Sequence, residues 1–184
     1  MQISQIQGPG RCGLNIDTIE CNVFNRTGTT VALGDVVMFD FSDSDADNAP
    51  FSLIVGNDGS ILANVIVPAT NGIGGLSGAT IKGWYWFGVV TVLDPEKANA
   101  ATPGADNTVI RIAVQGVVNA ACVATAITTG VTLCAANGVK TLTPTFAASN
   151  KALAMAWQPN GSAAGVYQVI FDGVNCSFGG PAAS

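Results

Sequence analysis

Residues 128–145 read TTGVTLCAANGVKTLTPT and have the pattern of a β-hairpin. Two stretches in which apolar and polar residues alternate flank Asn137-Gly138, a dipeptide that favours a tight turn because it tolerates positive φ angles. The segment contains no side chain that usually carries out chemistry. The segment with the clearest pattern therefore predicts a structural element only. The function has to be inferred from the rest of the sequence.

A period of two extends over most of the remaining chain and predicts further strands. Asn57-Asp58-Gly59 separates two apolar runs and predicts a second hairpin. IKGWYWFGVVTVL is apolar at successive positions, which is typical of a strand buried on both faces. KALAMAWQP predicts a strand with Leu153, Met155 and Trp157 on one face and alanines on the other. The other predicted strands lie in GDVVMFDF, TVIRIAVQGVV and GVYQVIFDG. We predict a mainly β fold, a compact β-barrel, β-tulip or sandwich of short antiparallel strands.

Composition limits the classes of function. The chain has 184 residues, of which 48% are hydrophobic and only 10% are charged, against about 25% charged in typical globular domains. Its net charge is -5 and its seven basic residues are scattered, so no basic stripe is available for nucleic acid. No apolar run approaches the roughly 20 residues needed to span a bilayer. The first residues lack a secretory signal. We expect a protein made in the cytoplasm that binds neither nucleic acid nor membrane.

The pattern divides the chain into three parts. Residues 1–27 have glycine breaks and weak alternation, and we predict an extended N-terminal arm that becomes ordered against other surfaces. Residues 28–173 form the predicted β domain, with an elaborated central region at 40–106, in which DPEKANAA favours a short helix. Residues 174–184 are predicted to be a C-terminal tail.

The acidic loop DFSDSDADNAP is the segment that most resembles a metal site. Asp43, Asp45 and Asp47 alternate as at the start of a calcium loop, but the sixth and twelfth positions hold Asn48 and Ile54 instead of glycine and glutamate, which rules out an EF-hand. A looser cation site stays open as the minor alternative to a solvated acidic loop. The chain has no histidine to act as a general base near neutral pH. We predict that the protein is not an enzyme and has no cofactor.

Two groups of apolar residues are candidates for contacts with other proteins. One group lies in the arm, and the other is an aromatic run that alternatively belongs to the core or forms a platform for sugars. The candidates are Ile3, Ile6, Leu14, Ile16, Trp84, Tyr85, Trp86 and Phe87.

The five cysteines form no CxxC motif and cannot all pair within one chain. We expect reduced and mostly buried thiols. A bridge between Cys12 and Cys21 is the alternative.

The second half of the chain is a series of short motifs joined by turns: Gln115–Val118, Ile127–Leu133, Asn137–Thr145, Ala152–Ala156 and Val166–Phe171. This series resembles the head decoration, or cement, proteins of tailed bacteriophages. In that family, G-V-(V/F) leads to I-x-x-G-x-x-(L/V), a hairpin with a Thr-rich turn, an (I/L)-(G/A)-x-A strand and a closing V-x-V-x-(L/F) strand. Gly34–Val37 is similar to the family's early G-D-x-V turn.

The resemblance implies a non-enzymatic β-barrel that binds the outer surface of the major capsid protein shell in the virion. It also implies a homotrimer, with a dimer as the alternative. The residues leave two other classes open. One is another virion structural subunit, such as a tail tube or head fibre, and the other is a carbohydrate- or metal-binding β module.

Overall fold

The computed structural model describes residues 18–40, 54–55, 61–68, 86–97, 101–146 and 152–174, and these residues form ten β-strands and no helix. The strands are β1 (Ile19–Asn25), β2 (Val36–Phe39), β3 (Ile54–Val55), β4 (Ile61–Ile66), β5 (Phe87–Val92), β6 (Val109–Cys122), β7 (Thr132–Ala135), β8 (Leu142–Thr143), β9 (Ala154–Ala156) and β10 (Gly165–Asp172). The predicted mainly β fold is confirmed.

Five strands close into a barrel in the order β1-β4-β2-β5-β6, and β6 pairs again with β1. The β1–β4 pair is parallel, and the other pairs of the barrel are antiparallel. Strand β3 adds to β4 outside this ring. Closure removes the exposed edges that an open sheet would present along these strands.

The remaining strands extend from β6 in the order β10-β9-β7-β8 and form what we call the C-terminal sheet. It curls back on itself, because β8 returns to β6 through the pair Cys122–Leu142 and a hydrogen bond from the amide of Val123 to the carbonyl of Leu142. Strands β7 and β8 are antiparallel neighbours on either side of Asn137-Gly138, and Gly138 has a φ of 72°. The predicted hairpin is confirmed.

Two clusters of buried side chains account for the apolar pattern. The first fills the barrel and includes Val37, Val90 and Ile110. The second lies between the barrel wall and the C-terminal sheet, and it takes Met38 and Val89 from the same strands. Strands β2 and β5 are therefore buried on both faces, as the apolar run at 81–93 predicts for β5.

Strand β6 is long enough to serve both regions, and it changes partners at Gly116. Its first half pairs with β1 and β5, and its second half pairs with β10 from Gln115 onward. Gly116 has a φ of 127°, and a Cβ built on it would lie 2.7 Å from the Cα of Thr18. Glycine is needed here for both the backbone conformation and the close approach of the chain before β1.

The predicted arm needs a correction at its end. Residues 19–25 are an integral barrel strand that pairs with both β4 and β6. Within it, Val23 is 1% exposed and Asn25 is fully buried. The prediction of an arm over residues 1–27 is therefore wrong for residues 19–27. At the other end, Val174 packs against the barrel cluster and does not belong to a free tail.

Two smaller predictions have different outcomes. The strand predicted in KALAMAWQP is confirmed as β9, in which Ala154 and Ala156 are buried and Met155 is half-buried. Of the flanking residues, Leu153 is fully buried and Trp157 is 53% exposed. Strand β9 lies between β7 and β10 in the sheet, and its two alanines belong to the cluster beneath the C-terminal sheet. The predicted helix at 94–101 is not formed by its described residues: 95 and 96 form a turn, and 94, 97 and 101 are not helical.

Candidate interaction surface

The described part of the aromatic run lies within the protein's own core. Phe87 is 6% exposed and belongs to the cluster beneath the C-terminal sheet. Trp86 is half-buried and packs edge-on against Phe39, with ring centroids 5.9 Å apart at 90°. The prediction that Phe87 contacts another subunit is wrong, because its side chain is covered by the chain itself. Trp84 and Tyr85 lie outside the described residues.

The other predicted contact and metal residues also lie outside the described part of the chain. They are Ile3, Ile6, Leu14 and Ile16 in the arm and Asp43, Asp45 and Asp47 in the acidic loop. Within the described ranges, no group of three or more cysteine and acidic side chains could hold a metal ion. No helix among those residues has the length and apolarity to cross a membrane.

A groove of about 660 Å³ lies where the barrel meets the C-terminal sheet. Its walls come from the start of β1, the turn before β2, the middle of β5 and β6, and the start of β10. The residues lining it are Thr18, Glu20, Leu33, Gly34, Val90, Thr91, Val117, Val118, Asn119 and Val166. Glu20 is the one charged residue in this lining, so the groove favours apolar and hydrogen-bonding contacts over ionic ones.

The rim of the groove carries exposed apolar side chains. Leu33 is 55% exposed and Val166 is 52% exposed. The backbone at Gly34 lies close to both β10 and β6, since a Cβ on it would lie 3.0 Å from the Cγ1 of Val166 and 3.2 Å from the carbonyl oxygen of Asn119. Exposed apolar side chains grouped around a depression are a common feature of interaction surfaces.

Sequence reasoning missed this rim, although one signal for it exists. Val166 occupies the outward position in the alternation of β10, where Gln168 follows on the same face. An apolar residue at an outward position is a weak indication of contact. Leu33 lies in a turn-rich segment and carries no periodic signal.

One edge of β6 borders the groove. The amide of Ala121 donates to the carbonyl of Gly34 and the amide of Val123 donates to that of Leu142. Backbone groups of a strand point alternately to its two edges, so the amides of Asn119 and Val117 point to this same edge. Their cross-strand partners are Gln168 and Ile170 of β10, on the opposite edge. Among the described residues, no strand pairs with β6 between Gln115 and Ala121 on the groove side.

The described cysteines are free thiols, as predicted. Burial raises the pKa of Cys122 to about 11. Burial and, second, the nearby charge of Glu20 raise the pKa of Cys21. Because the thiolate is the reactive form, these shifts make both sulfurs poor nucleophiles at neutral pH.

No protein-family model matches this chain, and no curated protein matches it in sequence.

Proposed function

We propose that this protein is a non-enzymatic structural protein of a bacteriophage virion, a decoration protein that binds the outer surface of the major capsid shell. The proposal rests on one observation, which is where the motifs that resemble the decoration proteins lie in the fold. The motifs between Gln115 and Phe171 fall on consecutive strands β6–β10 of one sheet. They therefore lie together in one region of the protein.

The surface chemistry supports a role in contacts. With charged residues at 10% of the chain, much of the surface consists of small polar and apolar groups. Such a surface loses little solvation when a neighbour covers it, and buried apolar area contributes about 25 cal/mol per Å² before ordering costs. A capsid repeats the same contact many times, so a modest affinity per copy is sufficient.

The proposed attachment uses Ile3 and Ile6 of the arm together with Trp84 and Tyr85, in a homotrimer on the capsid lattice. Apolar residues in a segment with little periodicity gain order when they bind. They contribute to attachment more than to the stability of the β domain.

Electron cryo-microscopy of virions containing the protein provides the test. We expect regular projections over the capsid lattice, each fitted by the barrel and C-terminal sheet. Density restricted to the tail or to fibres would overturn the assignment. Ile3→Asp with Ile6→Asp should reduce occupancy of the projections, whereas Val139→Asp, which adds charge at an exposed apolar residue of the β7–β8 hairpin, should leave it unchanged.

A further inference from the structure

Asparagine followed by glycine is a site of spontaneous backbone chemistry, and this chain contains three such dipeptides. The backbone nitrogen of the glycine attacks the Cγ of the asparagine, because glycine has no side chain to hinder the approach. The new N–Cγ bond closes a succinimide ring, and the side-chain nitrogen leaves as ammonia with the proton of the glycine amide. Water then opens the ring at either carbonyl to give aspartate or isoaspartate, so that the net change is hydrolysis of one amide.

Two of the three dipeptides belong to the described residues, and their surroundings differ. Asn137 and Gly138 are both exposed, in the turn of the β7–β8 hairpin. Asn160, which precedes Gly161, is 5% exposed and lies in the loop between β9 and β10. The third dipeptide, Asn71-Gly72, lies outside the described residues.

The side chain of Asn160 is held at both of its polar atoms. Its Nδ2 donates to two backbone carbonyls and its Oδ1 accepts from two backbone amides. The partners are Val123, Thr125, Ile127 and Ser162. The Cγ between these atoms therefore cannot rotate to meet the nitrogen of Gly161 unless the bonds break. Burial also keeps water from the carbon that it would have to attack.

At Asn137 the fold restrains the attacking atom instead. The amide of Gly138 donates to the carbonyl of Pro68 at 2.9 Å, and a nitrogen whose proton is held in this bond is a poor nucleophile. Pro68 follows β4, so the bond joins the hairpin to the barrel. A second bond between these regions runs from the amide of Val36 to the carbonyl of Lys140. Opening of this contact frees the nitrogen of Gly138 while both regions stay folded.

We propose that Asn137 is a deamidation site of the folded protein, controlled by opening of the contact between the hairpin and the barrel, and that Asn160 reacts only when its loop unfolds. Exposed turns open at a much lower free energy than buried segments. The product adds a carboxylate to the hairpin, and isoaspartate also adds a methylene to its backbone. Both changes fall in the turn that carries Lys140 to the barrel, so the modification weakens the contact that controls it.

Peptide mapping by mass spectrometry, on protein kept at mildly alkaline pH, follows both sites in one sample. In the folded protein we expect Asn137 to be converted at least about tenfold faster than Asn160. In urea the two rates should become similar, because both dipeptides are then equally accessible. Equal rates in the folded protein overturn the proposal, and so does a folded protein in which neither site is converted although both are converted in urea.

Lys140→Met tests whether the hairpin contact controls the rate. The substitution removes the ion pair with Asp35 and should accelerate conversion of Asn137 severalfold while leaving the rate at Asn160 unchanged. Lys97→Met, at an exposed lysine, is the matched control and should change neither rate. Equal acceleration at both sites in Lys140→Met, or none at Asn137, overturns the proposal. The measurement uses no capsid, so its outcome is independent of the proposed function.

Discussion

The barrel and the C-terminal sheet share β6 but are assembled from different kinds of sequence. The C-terminal sheet is built entirely within residues 109–172, and its β7–β8 hairpin closes over a short turn. The barrel joins β1 to β6 across about half of the chain and places β1 parallel to β4. Local pairings have turn signals in the sequence, whereas distant pairings depend on the completed fold.

Removing residues 1–27 should have the largest effect, because it deletes a strand that closes the barrel. Val23 alone contributes about 1.5–3 kcal/mol by burial, and the pairing of β1 with β4 and β6 is lost as well. We expect no cooperative thermal transition by near-ultraviolet circular dichroism. A chain that begins at Thr18 is the control and should melt within a few degrees of the full chain. Cooperative unfolding of the chain that begins at Gly28 would show that the barrel does not need β1.

Asn25 in the barrel and Asn160 in the C-terminal sheet are buried side chains that hold loops together, and they allow a direct comparison of the two regions. In the barrel, the Nδ2 of Asn25 donates to the carbonyls of Thr29, Gly104 and Ala105, each at 3.0 Å. In the C-terminal sheet, Asn160 donates to the carbonyls of Val123 and Thr125, and its Oδ1 accepts from the amides of Ile127 and Ser162. Where the chain turns and no strand is alongside, both side chains form hydrogen bonds with backbone groups of the loops.

Asn25→Ala and Asn160→Ala should each lower the free energy of unfolding by about 2–4 kcal/mol, since each leaves several buried backbone groups without partners. Asn119→Ala, at an exposed position, should change it by less than about 0.5 kcal/mol. Urea unfolding followed by fluorescence and circular dichroism measures all three variants. A single transition in both variants means that the two regions unfold together. Two transitions in Asn160→Ala alone would show that the C-terminal sheet unfolds first.

The strands that could be predicted from the sequence are mostly those whose partners lie close to them along the chain. Period-two patterns located β2, β6, β9 and β10, a continuous apolar run located β5, and turn residues located the hairpins β3–β4 and β7–β8. Strand β1 was missed although Ile19, Cys21 and Val23 alternate with Glu20 and Asn22. Its partners are far away in the sequence, so no adjacent turn marks it, and the glycines that precede it suggested an arm.

The interaction surface was less predictable than the fold. The groove exists because Gly34 permits the turn before β2 to approach β6 and β10, and this contact joins three segments that are distant in sequence. The aromatic run at 84–87 was assigned to an interface because it is strongly apolar, yet Phe87 fills the core. Hydrophobicity alone does not distinguish a buried strand from a contact surface; the completed packing does.

A salt bridge between the two regions provides a smaller test of their coupling. The Nζ of Lys140, in the β7–β8 hairpin, lies 3.2 Å from the Oδ2 of Asp35 and 2.7 Å from the carbonyl of Thr30. Lys140→Met keeps the apolar stem and removes the charge, and should lower the free energy of unfolding by about 1 kcal/mol. Lys97→Met, at an exposed lysine, is the matched control and should have almost no effect. The difference between the two variants should shrink in 1 M salt; a difference that does not change with salt would attribute the loss to packing.

The pH dependence of stability gives the smallest expected effect and compares the regions through their thiols. Burial raises the pKa of Cys122 in the C-terminal sheet to about 11 from the usual value of 9.0, so the folded state holds the thiol proton more tightly than the unfolded state. Its contribution is therefore fully present below pH 9 and is lost as the pH rises from 9 towards 11. Cys122→Ala should flatten the decline in unfolding free energy between pH 8 and pH 10 by no more than about 1 kcal/mol, measured by urea unfolding at each pH.

Cys21→Ala in the barrel should also flatten the decline in unfolding free energy, because the pKa of Cys21 is raised in the same direction. A decline that is identical in the wild type and in Cys122→Ala would mean that the Cys122 thiol ionises as readily in the folded protein as in the unfolded chain, and hence that solvent reaches the core beneath the C-terminal sheet.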